Sequence, residues 1–131
     1  MNYPDATVEQ YKQALIFVKD KHHISRGHKY LDLLFAHARA EDGTITASKL
    51  AEELGYASFG AVNLSYGKYA HLVAEALSFC PDKRKDKTSM WWSAFSAGNL
   101  AGDDTLDGQF EMVMHPALKD ALLEMKWVTV E

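Results

Sequence analysis

A chain of 131 residues, 47% of them apolar, is long enough for one globular domain with a single core and does not require a second. Its net charge of −4 argues against binding nucleic acid through overall basicity, and its one cysteine, Cys80, excludes an internal disulfide or a paired-cysteine metal site and reads as a half-buried small residue. No apolar run approaches the ~20 residues that cross a bilayer, and the start MNYPDATVEQ has no signal character, so the expectation is a cytoplasmic protein with no membrane partner.

Asp5 or Thr7 opens a first helix running to about Lys19, with Val8, Tyr11, Leu15 and Val18 facing inward. A basic junction follows, holding Lys19, Lys21, Arg26 and Lys29 with His22, His23 and His28. The stripe Ile24, Leu31, Leu34, Phe35 and Ala38 predicts a second helix from about Ser25 to Ala40. His28 lies near that stripe and reads first as a partly buried histidine with one satisfied nitrogen. Glu41-Asp42-Gly43 is a turn, and Thr44-Ile45 a short extended piece.

The stretch Thr44 to Phe79 has the pattern of a helix-turn-helix. Thr46 is placed to cap a short helix carrying Leu50, Ala51 and Leu54, and Gly55 stands where a helix end often needs positive φ. Ser58 then caps a longer helix with Val62, Tyr66 or Tyr69, Val73, Ala76 and Leu77 inward and Asn63, Ser65, Lys68 and His71 on other faces. Gly60 and Gly67 each lower helix propensity by roughly 1 kcal/mol relative to Ala, so they suit the close approach of a neighbouring helix first and of a ligand backbone second.

Cys80 to Lys87 has no apolar periodicity and reads as an exposed loop, with a second basic cluster at Lys83, Arg84, Lys85 and Lys87. Met90 to Ala97 and Gln109 to His115 read as a two-stranded hairpin, which puts Trp91 and Trp92 on opposite faces, one buried and one partly exposed. The intervening GNLAGDDTLDG, with Asp103, Asp104 and Asp107, is its loop. Pro116 starts a last helix with Ala117, Leu118, Ala121, Leu122 and Met125, and Trp127 to Val130 reads as a third strand. The fold class is mostly α (α+β): one domain over residues 1–131, helical over 5–79 with a hairpin and last helix over 90–131, winged-helix-like in its order of elements.

The six histidines fall at no metal-binding spacing, and the acidic run near Asp103 lacks the alternating ligands of a calcium loop. No nucleophile elbow, phosphate-binding lysine loop or dinucleotide motif is present, so neither catalysis nor a cofactor is expected.

GYASFGAVNLSYGK, from Gly55 to Lys68, the tryptophan-rich segment and MHPALKDALLEMKWV together resemble a bacterial module found alone or fused to HNH nucleases. From about Tyr11 onward the chain resembles the sulfur-binding domains of modification-dependent restriction endonucleases, which recognise DNA carrying sulfur in place of a non-bridging phosphate oxygen. The HNH nuclease portion is absent from this sequence, so the resemblance implies reading rather than cutting, with double-stranded phosphorothioate DNA as partner and a separate nuclease as a further one. Sulfur is larger, softer and less hydrated than oxygen, so its reader needs a small apolar cup beside donors or cations that hold the remaining charge. Tyr56, Ser58, Phe59 and Gly60 with Asn63, Tyr66 and Lys68 are the expected cup, flanked by Arg26, His28 and Lys29. Core packing is the competing role for Phe59 and Tyr66. Two rival functions stand beside DNA binding: a protein-interaction adaptor or inhibitor in bacterial or phage defence that uses Trp91, Trp92 and Phe95, and a small enzyme without a recognisable motif.

Overall fold

Thr7 begins the first helix by a reciprocal cap. Its hydroxyl accepts from the Gln10 amide at 3.1 Å while the Gln10 side chain accepts from the Thr7 amide at 2.8 Å. In the computed structural model, which describes residues 3–83, 89–98 and 111–129, this helix is α1, Val8–Lys21. It buries Tyr11, Ala14, Leu15 and Val18, leaves Val8 half-buried, and packs against the last helix and the longest one.

The second helix, α2, spans Lys29–Arg39 and so starts later than the apolar stripe predicts. Ile24 is buried from outside any helix, and Gly27 at φ 94° turns the chain before His28, whose ring accepts from the Tyr30 amide at 3.1 Å as the helix cap. A 3-10 turn at Glu41–Gly43 leads into β1, Thr44–Thr46. Two helices follow, α3 (Ala47–Leu54) and α4 (Phe59–Ala76). Thr46 and Ser58 cap them through their hydroxyls, at 3.1 and 3.3 Å, and Gly55 ends α3 at φ 76°, a conformation that costs other residues strain. The inward face of α4 takes Tyr66 and Tyr69 together, with Val62, Ala70, Val73 and Ala74, while Ala76 and Leu77 are half-buried.

The tryptophan-rich segment is not a strand. Trp91–Ala94 forms a 3-10 turn closed by the Ser93 hydroxyl on the Met90 carbonyl at 2.7 Å, and Tyr11 of α1 donates to the Ala94 carbonyl at 2.7 Å. Trp91 and Trp92 are consequently both half-buried, rather than divided between core and solvent. Strand β2 is only Ser96–Gly98 and β3 is Glu111–Met114, with Met112 and Met114 turned inward.

The third strand is β1, not the C-terminal segment: the antiparallel order is β1-β3-β2, with Ile45 opposite Met112 and Ala97 opposite Val113. Trp127, Val128 and Thr129 form no strand, and Val130 lies outside the described residues. The hairpin loop, including Asp103, Asp104 and Asp107, lies outside them too, as do Gln109, Phe110 and the basic residues Arg84, Lys85 and Lys87. Helix α5, Pro116–Glu124, buries Leu118, Ala121 and Leu122 and lies against α1, where Lys12 pairs with Glu124 at 2.6 Å. Cys80 is exposed rather than half-buried. The order α2-β1-α3-α4-β2-β3, with the first strand paired to the last, makes the domain mostly α and winged-helix-like. No described helix is long and apolar enough to cross a membrane.

Candidate functional site

Helix α4 carries the site because only one of its faces is committed to the core. Its other face, with the Trp91–Ala94 turn and β3, borders a groove of about 450 Å³. Phe59, Gly60, Asn63, Tyr66 and Lys68, all expected site residues, meet along it. Leu64, Gly67 and His71 extend the same wall, and Ser89, Trp91, Trp92 and Met112 form the others.

The walls are mainly apolar. Phe59 is 41% and Leu64 62% exposed, high values for large apolar side chains. His71 stacks on Trp91 with ring centroids 3.7 Å apart and planes 9° apart, and its Nε2 lies 2.8 Å from a Glu75 carboxylate oxygen. Among the described residues Lys68 contributes the lone lysine or arginine of the lining, and none of them there is a carboxylate.

The remaining expected residues have other places. Ser58 spends its hydroxyl oxygen on the helix cap, and Tyr56 is half-buried and hydrogen-bonded to Ser65, with burial pushing its hydroxyl pKa upward. Neither lines the groove. Arg26, His28 and Lys29 are absent from the lining as well: Arg26 is exposed in the turn before α2, His28 caps that helix, and the Lys29 ammonium lies 5.8 Å from the Tyr30 ring centroid. Tyr30 in turn stacks on Tyr69 at 5.1 Å, so this part of α2 supports the core side of α4.

Tyr66 has two faces to its role. It is 5% exposed and its hydroxyl meets Nδ1 of the wholly buried His37 at 2.8 Å, yet it also lines the groove. His37 went unread in the sequence, being one histidine inside an otherwise ordinary apolar stripe. Leu64 could have been found, because it falls off the inward stripe of Val62, Tyr66 and Tyr69.

Gly60 and Gly67 overturn the expectation of a neighbouring helix. Among the described residues a Cβ at Gly67 would meet nothing within 4 Å, and one at Gly60 only the Ser58 hydroxyl oxygen at 3.6 Å. Around the helix pair the exposed charges are mixed: Lys49 and Lys68 against Glu52 and Glu53. Among the described residues no three His, Cys, Asp or Glu side chains are grouped to hold a metal ion. No protein-family model, curated protein or solved structure matches the chain significantly.

Proposed function

We propose that the protein is a non-enzymatic DNA-binding module that presents α4 and its groove to the duplex backbone. The observation that carries this is the pair of open glycines. Glycine costs a helix up to roughly 1 kcal/mol, and among the described residues no packing at either position offsets that cost, so the bare backbone is available to something outside the chain. The winged-helix-like order supports the same use of α4, since the second helix of a helix-turn-helix is the element that enters a DNA groove.

An apolar wall beside Lys68, which has no ion-pair partner among the described residues, suits a phosphate whose oxygen is replaced by sulfur: Phe59 and Leu64 meet the poorly hydrated atom while Lys68 meets the charge. The context this fits is restriction of modified DNA, with cleavage supplied by a nuclease partner. Mobility shifts with ordinary and phosphorothioate duplexes at low salt test it. Tighter binding of the sulfur duplex is expected, and micromolar protein that shifts neither duplex overturns the proposal.

A second function, a protein adaptor in bacterial defence, is favoured by one observation, the exposure of Phe59 and Leu64 beside half-buried Trp91 and Trp92.

A further inference from the structure

The groove is much larger than one sulfur atom, whose volume is close to the ~30 Å³ share of a water molecule in liquid. About 450 Å³ lies beside α4, within the range of pockets that hold whole small molecules. The excess space is bordered by planar rings. Phe59, Trp91 and Trp92 line it, and His71, also in the lining, stacks on Trp91 at 3.7 Å.

Charge narrows the occupant further. Among the described residues Lys68 is the one lysine or arginine of the lining, no carboxylate accompanies it there, and it makes no ion pair with any of them. The groove therefore suits a planar, mostly apolar group attached to a negative charge. A nucleotide has that composition: a base with two π faces and a phosphate a few bonds away.

Resting on the DNA-binding proposal above, we propose that the groove takes one nucleobase swung out of the helical stack, with its phosphate at Lys68. The open positions at Gly60 and Gly67 let the sugar-phosphate backbone come close enough for the base to enter. Stacking on aromatic rings replaces part of the stacking lost in the duplex, and the base need not be of one kind, because every base has a π face.

The test uses duplexes that carry 2-aminopurine at successive positions, opposite either its pairing partner or a mismatched base. Extrusion predicts a fluorescence change of about twofold or more confined to one position, and about tenfold tighter binding when that position is mismatched, since unpairing then costs less. Gly67→Leu, which fills the groove from an open position, should remove the mismatch advantage. Free adenosine monophosphate separates the sources: it should compete for the groove only weakly, at millimolar concentration. Duplex binding that is indifferent to mismatch and leaves 2-aminopurine unchanged overturns the base site while DNA binding stands. Binding that depends on sulfur alone, with no fluorescence change, does the same. Absence of binding to every duplex overturns both.

Discussion

The Tyr66 hydroxyl donates to His37 Nδ1 at 2.8 Å, and the opposite ring nitrogen, Nε2, donates to the Met112 carbonyl at 3.0 Å. A carbonyl only accepts, so Nε2 carries the hydrogen and Nδ1 is the acceptor, an arrangement that belongs to the neutral ring. One buried imidazole thereby joins α2, α4 and β3 and holds the Tyr66 side chain and the Met112 backbone, both of which border the groove.

Burial pushes the His37 pKa down to about 4, against an ordinary value of 6.5. Because the folded value lies below the unfolded one, the contribution to stability is intact above about pH 6.5 and is lost as pH falls toward 4. Between pH 6.5 and 5 the loss should be about 2 kcal/mol, with His115, also lowered by burial, acting in the same direction. Urea midpoints measured across that interval check it. His37→Gln, which offers a donor and an acceptor but no titration, should be less stable at neutral pH and flatter with pH; a slope as steep as the parent's would reject the assignment.

Ser96 is wholly buried on β2, and its hydroxyl has no hydrogen-bond partner among the described residues. Burying such a group uncompensated costs ~1–3 kcal/mol. Ser96→Ala removes it at nearly constant shape, so thermal unfolding should occur at equal or higher temperature, with a gain of about 1 kcal/mol. A clear loss of stability would mean that the hydroxyl is satisfied.

Gly67→Ala should separate folding from binding. The new methyl meets no described residue within 4 Å, so the helix gains up to ~1 kcal/mol while the bare backbone surface is covered. A higher melting temperature with weaker DNA binding is the expected pair of results. Undiminished binding would remove the reason for a glycine at this position.

The parts of this fold legible in the sequence are those whose chemistry is local. Thr7, Thr46 and Ser58 each reach an amide three residues ahead, and Gly55 answers one backbone angle, so helix starts and the turn between α3 and α4 can be read from a few neighbouring residues. His37 finds its partners 29 and 75 residues away, and no local pattern announces them. The same distance hid the pairing of β1 with β3. Trp91 and Trp92 have the composition of a strand, but Ser93 and the distant Tyr11 hold that segment as a turn. Of the expected site, the residues one helix places together on its open side converge, whereas Arg26 and Lys29, joined to it only by a charge argument, do not line the groove.

The turn also changes what the tryptophans should do. Both are half-buried, so Trp91→Ala and Trp92→Ala should each cost about 1–3 kcal/mol, below the 3–5 typical of full burial. Chemical denaturation checks this, and a large loss at one with none at the other would restore the divided arrangement of a strand.

Leu64→Lys distinguishes DNA from an apolar protein partner. Leu64 is 62% exposed on the open side of α4, so replacing it should change stability by less than ~0.5 kcal/mol, the usual range for surface substitutions. If α4 faces a duplex, a second cation beside Lys68 neutralises one more phosphate. Affinity for ordinary DNA should rise, and the salt dependence should steepen by about 0.9 in log–log slope. The preference for phosphorothioate DNA should fall at the same time, because part of the apolar wall has been replaced by a hydrated ammonium. An apolar protein surface would respond in the opposite sense, losing the partner to an uncompensated charge. Titrations of both duplexes at two salt concentrations give all three quantities, and a variant that binds DNA no better than the parent, with an unchanged slope, would mean that α4 is not the face turned toward the duplex.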